Sequence, residues 1–295
     1  MATRGKSINL FLMDGEPSGR IKCTLANWTG VAYKVPRTAL DLCKERNDLK
    51  QSGIYFLFGT SDQTGNNVVY VGQAGARKNG EGLLYRLQEH KRNPDKDYWT
   101  EAVVFTTSNN SFGPTEISYL ENRFCGLAVN AKRYEVRNGN DPTHGNITEE
   151  KESELEEFVD YARIVMGTLG HKVFEPLVPH TPAKADGTVT DDEPLLYFNR
   201  PSINATSRRT SDGFVVFKGS TVAAKLQKSC PESVVNLRER YKDKIDSNSI
   251  LTDDLLFTSP STAASFVGGS SLSGNELWKT ADGVLLKHID KAEQK

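Results

Sequence analysis

Two tyrosines stand beside glycine in short apolar runs, Gly53-Ile54-Tyr55 and Tyr70-Val71-Gly72, and Arg86, His90 and Glu121 follow in that order. Two phenolic hydroxyls, a permanently charged fork, an imidazole and a carboxylate can together move a proton, neutralise growing negative charge and hold a hydrated divalent cation. Arg86 and His90 are four residues apart and so share one face of a helix. Glu121 sits between Leu120 and Phe124, at the rim of an apolar helix face. Position 125 is a cysteine, so the usual pairing with a base one turn later is missing, although Arg123 is near. Each residue also has a plain structural reading. On strand preference the tyrosines are half-buried aromatics, and an arginine and histidine on a helix are commonly surface groups. The flanking glycines change the balance, because glycine weakens a strand unless another group must approach its backbone closely.

These side chains need a sheet and helices to position them. Residues 6–13 and 20–35 read as two short strands around the turn-rich stretch 14–19. Helical spacing follows from Arg37 to Leu49. Gly53 to Phe58 and Val68 to Val71 read as a strand pair around a loop holding Asp62, Gly65, Asn66 and Asn67. A helix over 83–92 with Leu83, Leu84 and Leu87 on its apolar side leads to a third strand over 102–106. Thr115 is placed to cap a helix over 116–130, whose apolar face is Ile117, Leu120, Phe124 and Leu127. Another helix starts at Thr148 with an acidic first turn, which suits its dipole, and buries Phe158, Tyr161, Ala162, Val165 and Leu169.

Five segments result: an accessory hairpin and helix (1–49), a core (50–145), a packing helix (146–175), a proline-rich linker (176–211) and a C-terminal domain (212–290). The last has strand patterns at Phe214–Phe217 and Gly283–Leu286 and a helix around Val234–Tyr241. The expected fold class is α+β, a small antiparallel sheet flanked by helices, followed by a second small mixed α/β domain.

The 295 residues suffice for two cores. Composition is that of a globular chain, 37% hydrophobic and 25% charged. No apolar run approaches the ~20 residues that span a bilayer, and the N-terminal run is too short for a signal segment, so the expectation is a cytoplasmic protein without membrane contact. Four scattered cysteines without a CxxC pair argue against a zinc ribbon or a disulfide framework and for reduced, mostly buried thiols. A net charge of −1 gives no global sign of a nucleic-acid partner. Local basic residues, Arg77, Lys78, Lys91 and Arg92 among them, are the available phosphate contacts; a solvated helix face explains them equally well.

The ordered set over residues 50–140 resembles the signature of the GIY-YIG nuclease superfamily, metal-dependent enzymes that cut phosphodiester bonds. The resemblance implies an endonuclease acting on DNA with Mg²⁺ or Mn²⁺. Glu121 would bind the metal, with Glu116 as the competing position. Arg86 would contact phosphate, and Tyr55 with His90 would activate water. Tyr70 would position the phosphate or that water. The family also carries an asparagine after its glutamate helix; Asn138 is preferred here over Asn130. The segments Phe217-Lys-Gly-Ser220, Ser259 to Ala264 and Gly274 to Lys279 resemble the domain of unknown function numbered 4357, which accompanies such nucleases. Trp278, Lys279 and Lys218 there offer stacking and charge to DNA, while a core tryptophan with solvated lysines is the favoured reading of the same residues. The domain is also the expected place for a protein partner or self-association. Restriction, phage defence and mobile-element biology are the settings implied. A non-catalytic nucleic-acid-binding or assembly module on the same fold is the alternative.

Overall fold

The structure is a computed structural model that describes residues 5–76, 82–139, 147–178 and 193–292. The chain divides into two compact units, Met1–Pro176 and Leu177–Lys295.

The first unit is built on a seven-stranded sheet of order β1-β2-β3-β6-β4-β5-β7. The strands are β1 (Ile8–Leu12), β2 (Ile21–Leu25), β3 (Gly30–Pro36), β4 (Gly53–Thr60), β5 (Asn67–Ala74), β6 (Trp99–Thr107) and β7 (Glu135–Val136). Neighbours are antiparallel except β5 and β7. The sheet is therefore larger than expected, and residues 1–49 are no accessory to it. β3 pairs with β6 along its whole length, from Gly30 opposite Thr107 to Pro36 opposite Glu101. The stretch 20–35 is two strands because Asn27 turns the chain at φ 61°, a conformation asparagine tolerates. The expected helix over 37–49 is two 3-10 segments, Arg37–Cys43 and Asn47–Lys50. Leu40 and Cys43 are three residues apart, which suits three residues per turn.

β4 lies between β6 and β5, and Gly53 to Phe58 are all buried. A strand covered on both faces reads as an unbroken apolar run. Ile54, Phe56 and Phe58 join the core beneath α2 (Pro114–Ala131) and α3 (Glu149–Thr168). Tyr55 and Leu57 join a second core with Leu83, Leu84 and Leu87 of α1 (Leu83–Arg92). The start of α2 differs from expectation. Pro114 takes the first helical position, which its fixed φ favours, and Gly113 donates its N–H to the Glu116 carboxylate at 3.1 Å. α3 starts after Thr148 as expected, and the Thr148 hydroxyl caps it by accepting the Lys151 N–H. Arg123 is held by both oxygens of Glu156, at 2.7 and 2.9 Å.

The second unit has an antiparallel sheet of order β11-β10-β9-β8, from β8 (Leu196–Arg200), β9 (Ile203–Thr210), β10 (Gly213–Val216) and β11 (Leu255–Phe257). Its helices are α4 (Glu232–Arg240), α5 (Pro260–Gly268), α6 (Gly274–Leu277) and α7 (Leu286–Ala292). A linker running to residue 211 is thus incorrect, since β8 and β9 fall inside it. Pro201 misled because it occupies the turn between them, beside Ser202 at φ 62°. Gly283–Leu286 is not a strand either. Leu285 makes one bridge to Lys279, and Leu286 opens α7.

Candidate active site

In the β4–β5 hairpin, Tyr55 lies opposite Gly72 and Tyr70 opposite Leu57. The two tyrosines share a face on a diagonal, with ring centroids 6.2 Å apart. The glycines permit this. A Cβ on Gly72 would lie 2.3 Å from the Tyr55 hydroxyl, and one on Gly53 would lie 2.2 Å from the Phe105 carbonyl oxygen. Gly72 therefore leaves room for the Tyr55 ring, and Gly53 lets β4 approach β6.

The leucines of α1 anchor it over this face and carry His90 inward. His90 is only 4% exposed, and its Nε2 lies 2.6 Å from the Tyr55 hydroxyl. Arg86, one turn earlier and partly exposed, forms an ion pair with Glu89 at 2.7 Å. Burial lifts the Tyr55 phenol well above its ordinary range, with Arg86 opposing. Burial first, then the charges of Lys96 and Arg86, push His90 down to about 3. At neutral pH the pair is a neutral phenol against a neutral imidazole. Tyr70 is raised by burial and by Glu121, against Arg86.

Glu121 comes from the other side of the sheet. Gln73 stands opposite Ile54 and shares its face, and its amide donates to Glu121 Oε2 at 2.9 Å. The site is thus assembled around the outer edge of β5, with tyrosines and α1 on one face and Gln73 and α2 on the other. Burial raises the Glu121 carboxyl, while Gln73, Arg86 and Lys96 draw it down. Glu116 is occupied as the α2 cap.

Asn138 has a definite task. Its Oδ1 accepts the Val71 N–H at 3.0 Å, and its Nδ2 donates to the Val71 carbonyl at 2.8 Å. β7 pairs with Val68 and Val69, Arg137 N–H donates to the Val69 carbonyl, and the Asn138 amide continues that ladder by one step. Asn138 positions the strand between Tyr70 and Gly72; Asn130 is exposed on the last turn of α2.

Lys96 and Gln73 belong to the site although their spacing did not mark them. Lys96 Nζ lies 3.2 Å from the Tyr70 ring centroid. It is delivered by the 3-10 turn Pro94–Lys96, where Asn93 Oδ1 accepts the Asp95 N–H. The Asn-Pro pair signals such a turn, but not where its lysine points.

The expected DNA contacts fare unevenly. Lys91 is paired with Asp41 at 2.8 Å, Arg92 is exposed and donates to its own helix at Gln88, and Arg77 and Lys78 lie outside the described residues. Trp278 offers no stacking surface. It is fully buried between Phe198 and Phe214, and its Nε1–H donates to the Pro260 carbonyl at 3.0 Å. Lys279 and Lys218 are exposed.

A cleft of about 280 Å³ beside Arg86 is lined by Gln73, Ala74, Gly75, Gly82 and Tyr85. Among the described residues no three His, Cys, Asp or Glu side chains gather as metal ligands. One carboxylate with one oxygen already accepting from Gln73 does not suit zinc, which takes three or four protein ligands. It fits a hard cation that keeps most of its own water, such as Mg²⁺ or Mn²⁺.

Residues 196–290 match the family described as Domain of unknown function (DUF4357). The matched span begins with β8. No curated protein and no solved structure matches the chain. Among the described residues, no helix is long and apolar enough to cross a membrane.

Proposed function

We propose that the first unit is a divalent-metal-dependent endonuclease that hydrolyses DNA phosphodiester bonds, in keeping with the GIY-YIG resemblance of residues 50–140. The observation that carries this reading is the buried Tyr55–His90 hydrogen bond, held beside Tyr70 and within the fields of Arg86 and Glu121. A buried phenol needs some acceptor, which a backbone carbonyl would supply as well; a neutral histidine in that place adds a group able to take up its proton.

Glu121 would hold the Mg²⁺ or Mn²⁺, which supplies charge neutralisation at the scissile phosphate. Arg86, partly exposed at the cleft, contacts a phosphate oxygen. A phenol with a raised pKa makes no free phenolate at neutral pH, so Tyr55 works by relay. As water attacks phosphorus, one water proton passes to the Tyr55 oxygen and the Tyr55 proton to His90 Nε2, while the P–O bond to the departing sugar oxygen breaks and that oxygen takes a proton from solvent. The phenol stays neutral overall and the imidazole carries the charge. Tyr70 orients the phosphate or the water. Asn138 acts through the strand by fixing the backbone at Val71.

The second unit is the proposed source of DNA contacts or of a protein partner, through exposed groups such as Lys279 and Lys218 rather than Trp278. One observation favours the non-catalytic alternative: Glu121 accepts from Gln73 and lies in the fields of Arg86 and Lys96, partners that suit a purely structural carboxylate.

Plasmid cleavage with Mg²⁺ or Mn²⁺, wild type against Glu121→Ala, tests the reading. Cleavage should vanish in the variant while stability stays within ~1 kcal/mol, because a carboxylate at the rim contributes little to folding. Unchanged cleavage in Glu121→Ala, or none in the wild type, sinks it.

A further inference from the structure

Lys96 is half-buried, and its ammonium rests on the Tyr70 ring. Among the described residues it takes part in no ion pair, and its Nζ has no hydrogen-bond acceptor. Removing an ammonium from water without an anionic partner is costly, and one aromatic face offsets only part of that cost. The surroundings add to it. Burial, then the Arg86 charge, push the Lys96 ammonium down to about 8, with Glu121 alone opposing. Lys96 and Arg86 also both act on His90. Arg86 has Glu89 as an ion-pair partner, whereas Lys96 has only the more distant field of Glu121, so the Lys96 ammonium on the Tyr70 ring is the cation an anion at this site would relieve most.

We propose that Lys96 is a second phosphate-binding residue of this site, seated on Tyr70 and donating to a phosphate oxygen alongside Arg86. The proposal rests on the phosphodiester reading above and names its substrate contact. The two cations divide the work by shape. The Arg86 guanidinium is a planar fork and the Lys96 ammonium a compact charge with three donors. A phosphate between them cancels their mutual repulsion. It also offsets the field both impose on His90, so the imidazole becomes a better proton acceptor when substrate is bound.

The test uses the full chain with inorganic phosphate as the probe. Lysine is labelled with ¹³C at Cε, and the Lys96 signal is assigned by its absence from Lys96→Arg. The signal should move saturably with phosphate. Lys96→Met should bind phosphate about tenfold more weakly or worse, the size expected for a lost charged hydrogen bond. Tyr70→Leu, which removes the seat, should weaken binding as well. A Lys96 signal that phosphate does not move overturns the proposal, as does Lys96→Met binding phosphate like the wild type. Should Lys96→Met fail to fold, the labelled wild-type titration still decides. The two readings fail separately. Phosphate that shifts Lys96 in a chain unable to cut plasmid removes the nuclease reading alone, whereas normal cleavage with an unmoved Lys96 signal removes only the role of Lys96.

Discussion

The two faces of the seven-stranded sheet are both rich in aromatic rings, yet they are built for different ends. Beneath α2 and α3, Phe56, Phe105, Phe124, Phe158 and Phe174 pack edge to face and in stacks, with Trp28 edge-on to Phe105 and tilted onto Phe158 at their margin. Beneath α1 the rings are Tyr33, Tyr55, Tyr70 and His90, each bearing a polar atom. The same strand feeds both, with Phe56 pointing one way and Tyr55 the other. The phenylalanine face supplies stability through area and shape. The tyrosine face exchanges part of that stability for groups able to move a proton, and needs α1 to satisfy the buried hydroxyl of Tyr55. Stability should therefore follow one face and chemistry the other.

Phe56→Ala should separate them most strongly. It opens a cavity on the dry face and should lower stability by about 3–5 kcal/mol in denaturant unfolding. Protein that remains folded should keep its cleavage chemistry. Equal damage to both would mean the faces are not separable.

Gly72→Ala is the next largest. Its Cβ meets the Tyr55 hydroxyl at 2.3 Å, so the ring must move from His90. Overpacking of this kind costs about 1–3 kcal/mol, and cleavage should be lost nearly as completely as in Glu121→Ala. Full activity in Gly72→Ala would show that the Tyr55–His90 contact is dispensable.

Tyr55→Phe keeps the ring and removes only the hydroxyl. Leaving His90 without its partner should cost about 1–2 kcal/mol, with a far larger fall in kcat. A variant that loses stability but not kcat would return Tyr55 to a packing role.

The smallest effect concerns acid. His90 takes up a proton near 6.5 when unfolded but near 3 when folded. The stability it supports is thus complete above pH 6.5 and is lost as pH falls toward 3. His90→Gln should flatten the upper part of that decline in thermal melts, before the carboxylates titrate. Parallel profiles for the two proteins would place His90 in water-like surroundings.

Much of the first unit was legible because local pattern and tertiary role agree there. The helix over 83–92, the strand pair at Tyr55 and Tyr70 and the helix start at Thr148 follow from spacing, glycine and an acidic first turn, which act over a few residues. The reading failed where a long-range partner decides. The early strands read as an accessory hairpin because nothing in residues 20–35 announces that β3 pairs with β6, some seventy residues on. β8 and β9 read as linker from sequence because proline is as common in a tight turn, where Pro201 sits, as in a connection. For Trp278 the sequence leaves a core position and a DNA contact both open, because an indole beside a lysine looks the same whether it faces solvent or, as here, Phe198 and Phe214.

The sequence by itself determined which residues could do chemistry, and that Arg86 and His90 share a helix face, because periodicity along one element is a local property. Only the tertiary structure decided that Tyr55 meets His90, that Glu121 meets Gln73 around the edge of β5, and that Asn138 is committed to Val71. It alone placed Lys96 on Tyr70. Contacts between elements depend on register and packing across the sheet, and those are fixed by burial of the whole fold rather than by any run of neighbouring residues.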